Sequence, residues 1–405
     1  MRKQNILLVA HDVTLAHLAR PLRLAGLLHE AGHDVTLAAS ADSAPFLRDF
    51  PARLHTLTPT GKARFIRNLA EGKPVFDLET LKGFAAEDDA LLAQYRPDMV
   101  IGDFRITLSA TARRAGVPYA TITNAYWSPA FAPHFVVPDL PMVPYLGVSL
   151  SQWLFDLARP LAFAYHSRPM NALRQHYGLP SLGNDLRRVY TDADLTLFSD
   201  IPELYGLTDE HHPGGRFLGP IQWAPNLPRP DWWDRLSPDA STIYITLGSS
   251  GDPLLLPSLV EALRPSGFQL IVATAGAGGV TTGGKVFCAD YLPGDEAAAR
   301  ASLVICNGGS PTSFQALAQG TPILGIPSNL DQHLNMHFVT RAGAGLVLRR
   351  YAMTPETIRA ATGRLLSEST FRNAAASLAA AIKKRDIRRT LNDIAIDFPS
   401  RKSGA

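Results

Sequence analysis

Two turns in the C-terminal half of the chain place small and polar residues directly after apolar segments. The first turn follows the apolar run 303–306 and consists of Asn307, Gly308, Gly309, Ser310, Pro311 and Thr312. A strand that ends at such a turn and leads into a helix exposes backbone N–H groups at the positive helix end, where an anion binds. The second turn follows the apolar run 322–326 and carries Asp331, Gln332 and Asn335. Because ligands bind beyond the carboxyl ends of strands in open α/β sheets, the two turns predict a phosphate site beside a hydroxyl-binding site.

The residues of both turns resemble the donor-binding signature of family-1 nucleotide-sugar glycosyltransferases, which have the GT-B fold. That signature is roughly HGGxGTxxEAxxxGVPxxxxPxxxDQxxNA, followed by GxG. The chain matches it at Gly308, Gly309, Thr312, Ala316, Gly320, Pro322, Pro327, Asp331, Gln332, Asn335, Gly343 and Gly345. The resemblance implies that Asp331 and Gln332 bind the sugar hydroxyls. It also implies that the departing diphosphate is held by Ser249, Asn307, Gly309, Ser310 and Thr312.

Three positions depart from the signature. Asn307 replaces the His that touches the diphosphate, Pro311 replaces a Gly of the phosphate turn, and Gln315 replaces the Glu that holds the ribose hydroxyls. Asn and Gln can still hydrogen-bond these groups, but without charge. We therefore expect the departures to affect the identity and affinity of the donor more than the fold, with Gln315 touching the ribose.

Two further segments complete the implied donor site. The run Gly248, Ser249 and Ser250 follows an apolar stretch and resembles the family's G-S loop, in which a Ser and backbone N–H groups touch the diphosphate. Tyr291 and Leu292 stand where the family has Trp-x-Pro-Gln, which implies a platform for the nucleotide base. The alternatives are a simple strand-to-helix turn for the first segment and a core tyrosine for the second.

His17 is the candidate general base in the N-terminal half. It stands in HLARPLRLAGLLHEAGHDVTLA, near the start of a predicted helix, and the spacing back from His33 places it at the catalytic position of the family's G-H-x-x-P pattern. The family's proline comes one residue late, at Pro21. An imidazole that titrates near neutral pH is suited to deprotonating a sugar-accepting hydroxyl. His11 is the rival, and a helix-start histidine without a catalytic role is the alternative.

Asp103 is the candidate partner of that histidine. It follows the predicted strand 99–102, where family members carry an Asp that hydrogen-bonds the catalytic His. A carboxylate behind an imidazole fixes its tautomer and stabilises the imidazolium as it forms. Asp98 precedes the strand and should lie at the opposite end of the sheet. The alternative role of Asp103 is to cap the following helix.

Alternating apolar strands and amphipathic helices in both halves predict an α/β fold with two Rossmann-like, doubly wound domains facing a cleft. We predict an N-terminal acceptor-binding domain over 1–215, a Pro- and Trp-rich linker over 216–240 and a nucleotide-sugar domain over 241–385. The resemblance implies that the final segment, 386–405, is a helix that returns to the N-terminal domain, plus a tail.

The stretch 124–186 is rich in Pro, Trp, Tyr and Phe, with weak helix patterns near 150–164 and 170–177. Such an aromatic insertion is suited to line an acceptor pocket, and Trp127, Phe131 and Trp153 are its candidate acceptor-binding residues. Packing over the sheet is the alternative. An apolar or aromatic acceptor, such as a polyketide, phenol, lipid or terpenoid, fits these side chains.

Composition argues against several classes of protein, namely nucleic-acid-binding, disulfide-rich and membrane-spanning proteins. The net charge of +3 from 39 basic and 36 acidic residues gives no reason to expect nucleic acid. Two cysteines do not suggest a disulfide framework. The N-terminus is too short in apolar residues for a signal peptide, and the chain lacks an uncharged apolar run that could span a membrane. We expect a cytoplasmic protein whose partners are a nucleotide sugar and a small-molecule acceptor, and a homodimer is compatible with the sequence.

No Asp-x-Asp motif follows a predicted strand, and the Asp88-Asp89 pair falls in a helical stretch that should face solvent. We therefore expect no metal and no cofactor beyond the nucleotide sugar. The sequence predicts an inverting glycosyltransferase in which His17, oriented by Asp103, activates an acceptor hydroxyl. A non-catalytic partner protein and a GT-B sugar-nucleotide epimerase are the competing hypotheses.

Overall fold

The computed structural model describes residues 3–11, 13–131, 134–209, 211–224, 227–248 and 250–402, with backbone only for 399–402. The N-terminal domain contains an eight-stranded sheet in the order β3-β2-β1-β4-β5-β6-β8-β7, parallel except for β7 against β8. Its strands are β1 Asn5–Ala10, β2 Asp34–Ser40, β3 Arg53–Leu57, β4 Met99–Asp103, β5 Tyr119–Thr123, β6 Leu195–Phe198, β7 His211–His212 and β8 Gly215–Phe217. Its helices are α1 Leu15–Glu30, α2 Lys62–Ala70, α3 Leu78–Tyr95, α4 Leu108–Ala115, α5 Val143–His176 and α6 Leu186–Thr191.

The C-terminal domain contains a six-stranded parallel sheet in the order β11-β10-β9-β12-β13-β14. Its strands are β9 Thr242–Thr246, β10 Gln269–Ala273, β11 Val286–Ala289, β12 Leu303–Cys306, β13 Ile323–Gly325 and β14 Gly345–Val347. The helices that follow are α7 Leu256–Leu263, α8 Gly294–Arg300, α9 Ser310–Ala318, α10 Leu330–Arg341, α11 Pro355–Ser367, α12 Ser369–Lys383 and α13 Ile387–Lys402. The predicted class of two doubly wound α/β sheets is confirmed.

The central strands of both sheets are buried along nearly their whole length, for example in β1 and β12. Helices cover both faces of a parallel sheet, so such strands are continuously apolar rather than alternating. Strand order reverses between β1 and β4 in the first sheet and between β9 and β12 in the second. Ligands bind at such reversals, outside the carboxyl ends of the strands. We therefore expect the ligand-binding sites at the carboxyl ends of β1, β4, β9 and β12.

The segments between and after the two sheets pack firmly on the domains. Trp232 and Trp233 of the predicted linker are buried in the core of the C-terminal domain, and Trp232 donates to the carbonyl oxygen of Cys288 at 2.9 Å. The last helix, α13, packs Leu391 and Ile394 into the core formed by β1 and α1. The final helix thus joins the end of the chain to the N-terminal domain.

The aromatic stretch folds differently from its sequence pattern. Instead of two short helices, the structure has the single 34-residue helix α5, with Pro160 and Pro169 inside it and a break at Gly147, where φ is 72°. Proline removes one backbone hydrogen bond and kinks a helix, but packing on the domain can offset that cost. Phe163, Met170 and Leu173 supply this packing from the buried side of α5. No helix within the described part of the chain is long and apolar enough to cross a bilayer.

Candidate active site

The end of β4 and the first turn of α1 bring His17 and Asp103 together. β1 and β4 are parallel neighbours, with Ala10 opposite Asp103, so α1 begins beside the carboxyl end of β4. The His17 Nδ1 atom lies 2.7 Å from the Asp103 Oδ1 atom. The Asp103 side chain is 0% exposed, whereas the His17 side chain is 21% exposed. The carboxylate is therefore shielded, and the imidazole reaches the open cleft.

Two groups contact Nδ1 of His17. An ionised carboxylate only accepts hydrogen bonds, so the 2.7 Å contact with Asp103 favours a proton on Nδ1 and a lone pair on Nε2. A terminal nitrogen of Arg20, which can only donate, lies 3.0 Å from the same Nδ1 atom and by itself favours the opposite tautomer. Because that nitrogen donates to Asp103 Oδ1 at 2.8 Å, we assign the Nδ1 proton to the shorter contact, with Asp103. Within the described residues, Nε2 has no hydrogen-bond partner. Phe104 stacks on the imidazole, with ring centroids 4.7 Å apart and ring planes 20° apart. Its φ of 56° lies in the left-handed region, which is uncommon for a bulky residue and recurs at functional sites.

Arg20 is a member of this group that the sequence prediction missed. Its Nε and one terminal nitrogen donate to the two oxygens of Asp103 at 2.6 and 2.8 Å. Its other terminal nitrogen donates to Ser199 at 3.1 Å and to Asn124 at 3.3 Å. Arg20 follows His17 by three residues, which places both side chains on one helix face. The spacing of three residues from His17 was the sequence feature from which Arg20 could have been predicted as part of this group.

His11, the rival base, lies in a different environment. Its ring is buried and contacts the Phe76 and Phe84 rings edge-on, with centroids 4.9 Å apart in both pairs. Burial lowers the pKa of His11 well below its usual value, and the charges of Arg105 and His17 lower it further. Neither ring nitrogen has a hydrogen-bond partner among the described residues. The geometry favours His17 over His11 as a base, because only His17 combines an oriented ring with access to the cleft.

The ends of β9 and β12 bring the predicted phosphate-binding residues together. Asn307 Nδ2 donates to Ser250 Oγ at 3.2 Å, and Asn307 Oδ1 accepts from the Gly309 N–H at 3.0 Å. Gly248 lies beside Asn307 with a φ of 60°. Gly308 has a φ of 75°, and a Cβ there would be 2.4 Å from Met336. Ser249 lies outside the described residues.

Helix α9 begins at this turn. Gly309 is its N-cap residue and provides no side-chain cap, so the first-turn N–H groups remain available to an anion. Ser310, Pro311 and Thr312 form that first turn, and Pro311 contributes no N–H. Ser310 Oγ accepts a hydrogen bond from Asn124 Nδ2 at 2.9 Å, across the cleft between the domains. Through Asn124, the turn is linked to Arg20.

Asp331 and Gln332 open helix α10 on the same side of the second sheet. Asp331 Oδ1 accepts from Trp127 Nε1 at 2.7 Å and from the Tyr126 hydroxyl at 3.1 Å, both from the N-terminal domain. The Gln332 side chain is held by Ser328 and Ser250. Trp127, predicted as an acceptor residue, is therefore also a contact between the domains.

The remaining predicted donor residues lie at the edge of the cleft. Gln315 packs against Gly294, where a Cβ would be 2.8 Å from its Oε1 atom. It also lines a narrow cleft between the domains together with Arg20, Gln222 and Ser310. Tyr291 is exposed, whereas Leu292 is buried in the core of the C-terminal domain. Tyr291 is thus the more accessible of the two predicted base contacts.

Aromatic side chains form the surroundings of His17. Phe104 contacts Phe65, Phe76 and Tyr190, and Tyr190 contacts Trp127 edge-on at 5.2 Å. Phe131 belongs to a different cluster, with Phe198, Tyr205, His212 and Phe217. Trp153 is exposed on α5. A role for Phe131 and Trp153 in acceptor binding stays a prediction.

Asp200 supports the cleft from within the N-terminal domain and was also missed. Its Oδ2 atom accepts from Tyr205, from the Ala125 N–H and from Asn124. Burial nevertheless raises the pKa of the Asp200 carboxyl to about 6.

No three His, Cys, Asp or Glu side chains in the described ranges are grouped so that they could hold a metal ion.

The chain is similar in sequence to known glycosyltransferases. Residues 271–387 match a family model described as the C-terminal domain of erythromycin biosynthesis protein CIII-like proteins. The chain is 43% identical over 384 residues to a PGL/p-HBAD biosynthesis glycosyltransferase of Mycobacterium tuberculosis, covering 94% of this chain and 89% of the relative. It is also 43% identical over 382 residues to a PGL/p-HBAD biosynthesis rhamnosyltransferase of Mycobacterium bovis, covering 93% and 84%.

Solved glycosyltransferases share the overall fold. The calicheamicin glycosyltransferase CalG4 superposes with a TM-score of 0.72 at 18% identity, over 99% of both chains. The spinosyn rhamnosyltransferase SpnG, in a structure complexed with thymidine diphosphate, superposes with a TM-score of 0.69 at 18% identity, over 96% of this chain and 99% of that one. The two facing domains thus have the arrangement found in GT-B glycosyltransferases.

Proposed function

Because the chain belongs to the family of GT-B glycosyltransferases that includes the mycobacterial PGL/p-HBAD biosynthesis glycosyltransferases, we propose a specific reaction for it. The enzyme transfers a sugar from a UDP- or dTDP-sugar to a hydroxyl of a hydrophobic small molecule, with inversion at the anomeric carbon. His17 is the general base and Asp103 its orienting partner. The 43% identity to a relative named as a rhamnosyltransferase makes a deoxysugar a reasonable donor to test.

The proposed step needs one proton acceptor and one stabilised leaving group. Nε2 of His17 takes the proton of the acceptor hydroxyl while that oxygen forms a bond to the anomeric carbon. The bond from the anomeric carbon to the diphosphate oxygen breaks, and its electron pair leaves on the diphosphate. Asp103 then holds the imidazolium through the Nδ1 hydrogen bond. Attack from the face opposite the leaving group inverts the anomeric centre.

The diphosphate would bind at the start of α9. Asn307 joins Ser250 to Gly309 by hydrogen bonds, directly beside the backbone N–H groups of that first turn. These polar groups would stabilise the negative charge that develops on the leaving diphosphate. We propose that these groups take the role that a divalent cation has in other transferases. The Ser310 hydroxyl would be shared between the diphosphate and Asn124.

The acceptor would lie among the aromatic side chains around His17. Phe65, Phe76, Phe104 and Tyr190 make this side of the cleft apolar. Aromatic walls favour a flat or apolar acceptor over a free sugar, because they replace water with large hydrophobic contact surfaces. An apolar or aromatic acceptor is therefore the class to screen first.

One observation carries the proposal. A histidine with an accessible Nε2, fixed by a buried carboxylate, is connected through Arg20, Asn124 and Ser310 to an uncapped helix N-terminus. This arrangement combines a base and an anion site on opposite sides of one cleft, as sugar transfer to a hydroxyl requires. It supports transfer to an acceptor over epimerisation of the donor alone.

The test is a transfer assay with UDP- and dTDP-linked hexoses and deoxyhexoses, with and without EDTA, against a panel of phenols and apolar alcohols. The proposal expects EDTA-resistant formation of a glycoside of inverted anomeric configuration, read from the anomeric coupling constant by NMR. His17→Ala should abolish it, whereas His29→Ala, a half-buried histidine on the same helix, should not. Epimerised free donor without a glycoside would support the epimerase hypothesis. A protein that binds nucleotide but never transfers would support the non-catalytic partner hypothesis.

A further inference from the structure

The outward side of α5 is a long apolar surface with few charged residues. Tyr145, Leu146, Val148, Leu150, Trp153, Leu157, Leu161 and Tyr165 are all exposed. We use the name α5 face for the helically spaced part of this set, which consists of Leu150, Trp153, Leu157, Leu161 and Tyr165. Intervals of three and four residues place these side chains along one side of a helix. The α5 face therefore presents a continuous apolar strip to solvent.

Charge is almost absent from this part of the helix. Between positions 142 and 165, the only charged residues are Asp156 and Arg159. These two side chains pair with each other at 3.1 Å, so the segment carries no net charge. Leu157 and Leu161 are 66% and 76% exposed. At 1.5 Å per residue, the strip is roughly 20 Å or more long, and apolar patches of that extent mark interaction sites on soluble proteins.

Helix α2 adds positive charge at one end of the strip. Its residues Ile66 and Leu69 are exposed, and it carries no acidic residue. Arg64 is paired with Asp77, which leaves Lys62 and Arg67 as the cations that the helix offers. The two helices come together where His166 of α5 lies close to the backbone of Gly72, just past the end of α2. Apolar residues bordered by cations are typical of surfaces that lie on anionic membranes.

The same two helices line the apolar side of the candidate active site. Phe65 of α2 and Met170 of α5 point inward and belong to one buried cluster, which also contacts Phe104 beside His17. Their neighbours Ile66 and Tyr165 point outward. The outer surface and the wall of the acceptor region are thus two faces of the same helices.

We propose that the α5 face, together with α2, docks on the surface of a lipid bilayer that contains anionic lipids. Tyr145, Trp153 and Tyr165 fit the polar-apolar boundary of a bilayer, where amphipathic aromatic rings are enriched. A second copy of the chain is a poorer occupant, because a two-fold axis near α2 would bring the same cations together. The bilayer instead offers negative charge opposite Lys62 and Arg67.

The docking itself is independent of catalysis. Delivery of an apolar acceptor from the bilayer to the aromatic side of the cleft rests on the proposed function, whereas binding to lipid does not. The experiment is therefore made with the full chain in the absence of donor and acceptor, so that its failure and the failure of the proposed transfer are separate results.

The test is co-sedimentation with vesicles of phosphatidylcholine alone and of phosphatidylcholine with phosphatidylglycerol. We expect binding to the anionic vesicles that weakens with added salt, and weaker binding to the neutral ones. Leu157→Glu with Leu161→Glu should reduce the binding constant by about tenfold or more, because both carboxylates would enter the apolar boundary. The matched control is Leu254→Glu, which alters a leucine that is 79% exposed on the C-terminal domain and should bind as the wild type does.

Three results would overturn the proposal. These are no sedimentation with either vesicle, equal binding of the double variant and the Leu254→Glu control, or a dimer by light scattering that the double variant converts to a monomer without any vesicle binding. The third result would assign the α5 face to a second copy of the chain. All three leucines are exposed to solvent, so we expect both variants to fold as the wild type does. Circular dichroism of both variants checks this, so that misfolding is not mistaken for a loss of binding.

Discussion

Trp127 Nε1 of the N-terminal domain donates a hydrogen bond of 2.7 Å to Asp331 Oδ1 of the C-terminal domain. The Tyr126 hydroxyl donates to the same oxygen at 3.1 Å. Asp331 is the residue expected to hold the sugar of the donor. The contact therefore couples the carboxylate proposed to bind the sugar to the domain that contains the proposed base, and it leaves Oδ2 of Asp331 for a sugar hydroxyl.

Replacing Trp127 with Phe should weaken donor binding. The variant keeps the aromatic ring but loses the donor to a carboxylate, a hydrogen bond worth about 1.5–3 kcal/mol. Because Tyr126 still holds Asp331, we expect the lower end, a rise of about tenfold in the KM for the donor. Initial-rate measurements with varied donor will show it. Trp153→Phe, a change to an exposed tryptophan, is the matched control and should leave the donor KM unchanged.

The bond between His17 and Asp103 makes a second prediction. Asp103→Asn keeps the shape of the side chain but can present its amide N–H to Nδ1, which would leave the proton on Nε2 and disable the base. We expect kcat to fall by about 10²–10⁴, as for loss of an orienting carboxylate elsewhere. The change in kcat can be interpreted only if the variant is folded, because Arg20 also loses its ionic partner when Asp103 is replaced. An unchanged kcat in a folded variant would remove Asp103 from the mechanism.

A substitution of Arg20 will show whether this residue positions the His17 imidazole or only stabilises the fold. Arg20→Lys keeps the positive charge but cannot reach both oxygens of Asp103, Asn124 and Ser199 at once. We expect kcat to fall by about tenfold or more and the pH dependence of kcat to change, because the imidazole loses part of its fixed surroundings. Arg23→Lys on the same helix is exposed and serves as the control. A fall in stability alone, with kcat and its pH profile intact, would show that Arg20 is purely structural.

The sequence predicted the fold well because the strands of a buried parallel sheet are apolar throughout and their ends carry recognisable small residues. The turn at Gly308 is an example, since its positive φ and its contact with Met336 require glycine. The resemblance to the glycosyltransferase family singled out His17 and Asp103, and the structure places their side chains in contact. Their position at one strand end and one helix start depends on short segments of sequence, whereas their roles stay predictions.

Long-range pairings could not be predicted in the same way. Asp88 was expected to face solvent because it lies in a helix beside Asp89, but this expectation was wrong. Asp88 is buried and accepts from Arg105 at 2.8 Å. Arg105 follows β4, and only the packing of α3 on that strand end brings it near. The bond from Trp127 to Asp331 likewise joins residues 204 positions apart, on two domains. No local pattern encodes the face of a helix that a distant element will cover.

Restoring the signature histidine should strengthen the phosphate site. Asn307 contacts Ser250 and Gly309 at the turn proposed to bind the diphosphate, and it carries no charge there. Asn307→His would place an ionisable ring there, and a charge-assisted bond to phosphate is roughly twice as strong as a neutral one. We expect tighter binding of UDP or dTDP by several-fold at about pH 6, where the ring is protonated, and a smaller gain at about pH 8. Calorimetric titration with the nucleotide alone measures both. Equal affinity at both pH values would mean that the new ring does not contact the diphosphate.

The buried Asp200 makes a prediction about stability. Burial raises its pKa from 3.8 to about 6, although Tyr205, Asn124 and the Ala125 N–H all donate to it. Folding therefore favours the protonated carboxyl. The stability that this gives is fully present below the unfolded pKa and is lost as pH rises through about 6.

Comparison with Asp200→Asn isolates this effect, because the other titrating groups are common to both proteins. The variant should be destabilised relative to wild type by about 2 kcal/mol more at about pH 4.5 than at about pH 7.5, since only the wild type gains a proton on acidification. Denaturant titrations of both proteins at the two pH values measure the difference. A pH-independent difference would show that Asp200 keeps the same charge across this range. The opposite sign would mean that its three hydrogen bonds outweigh burial and lower the pKa instead.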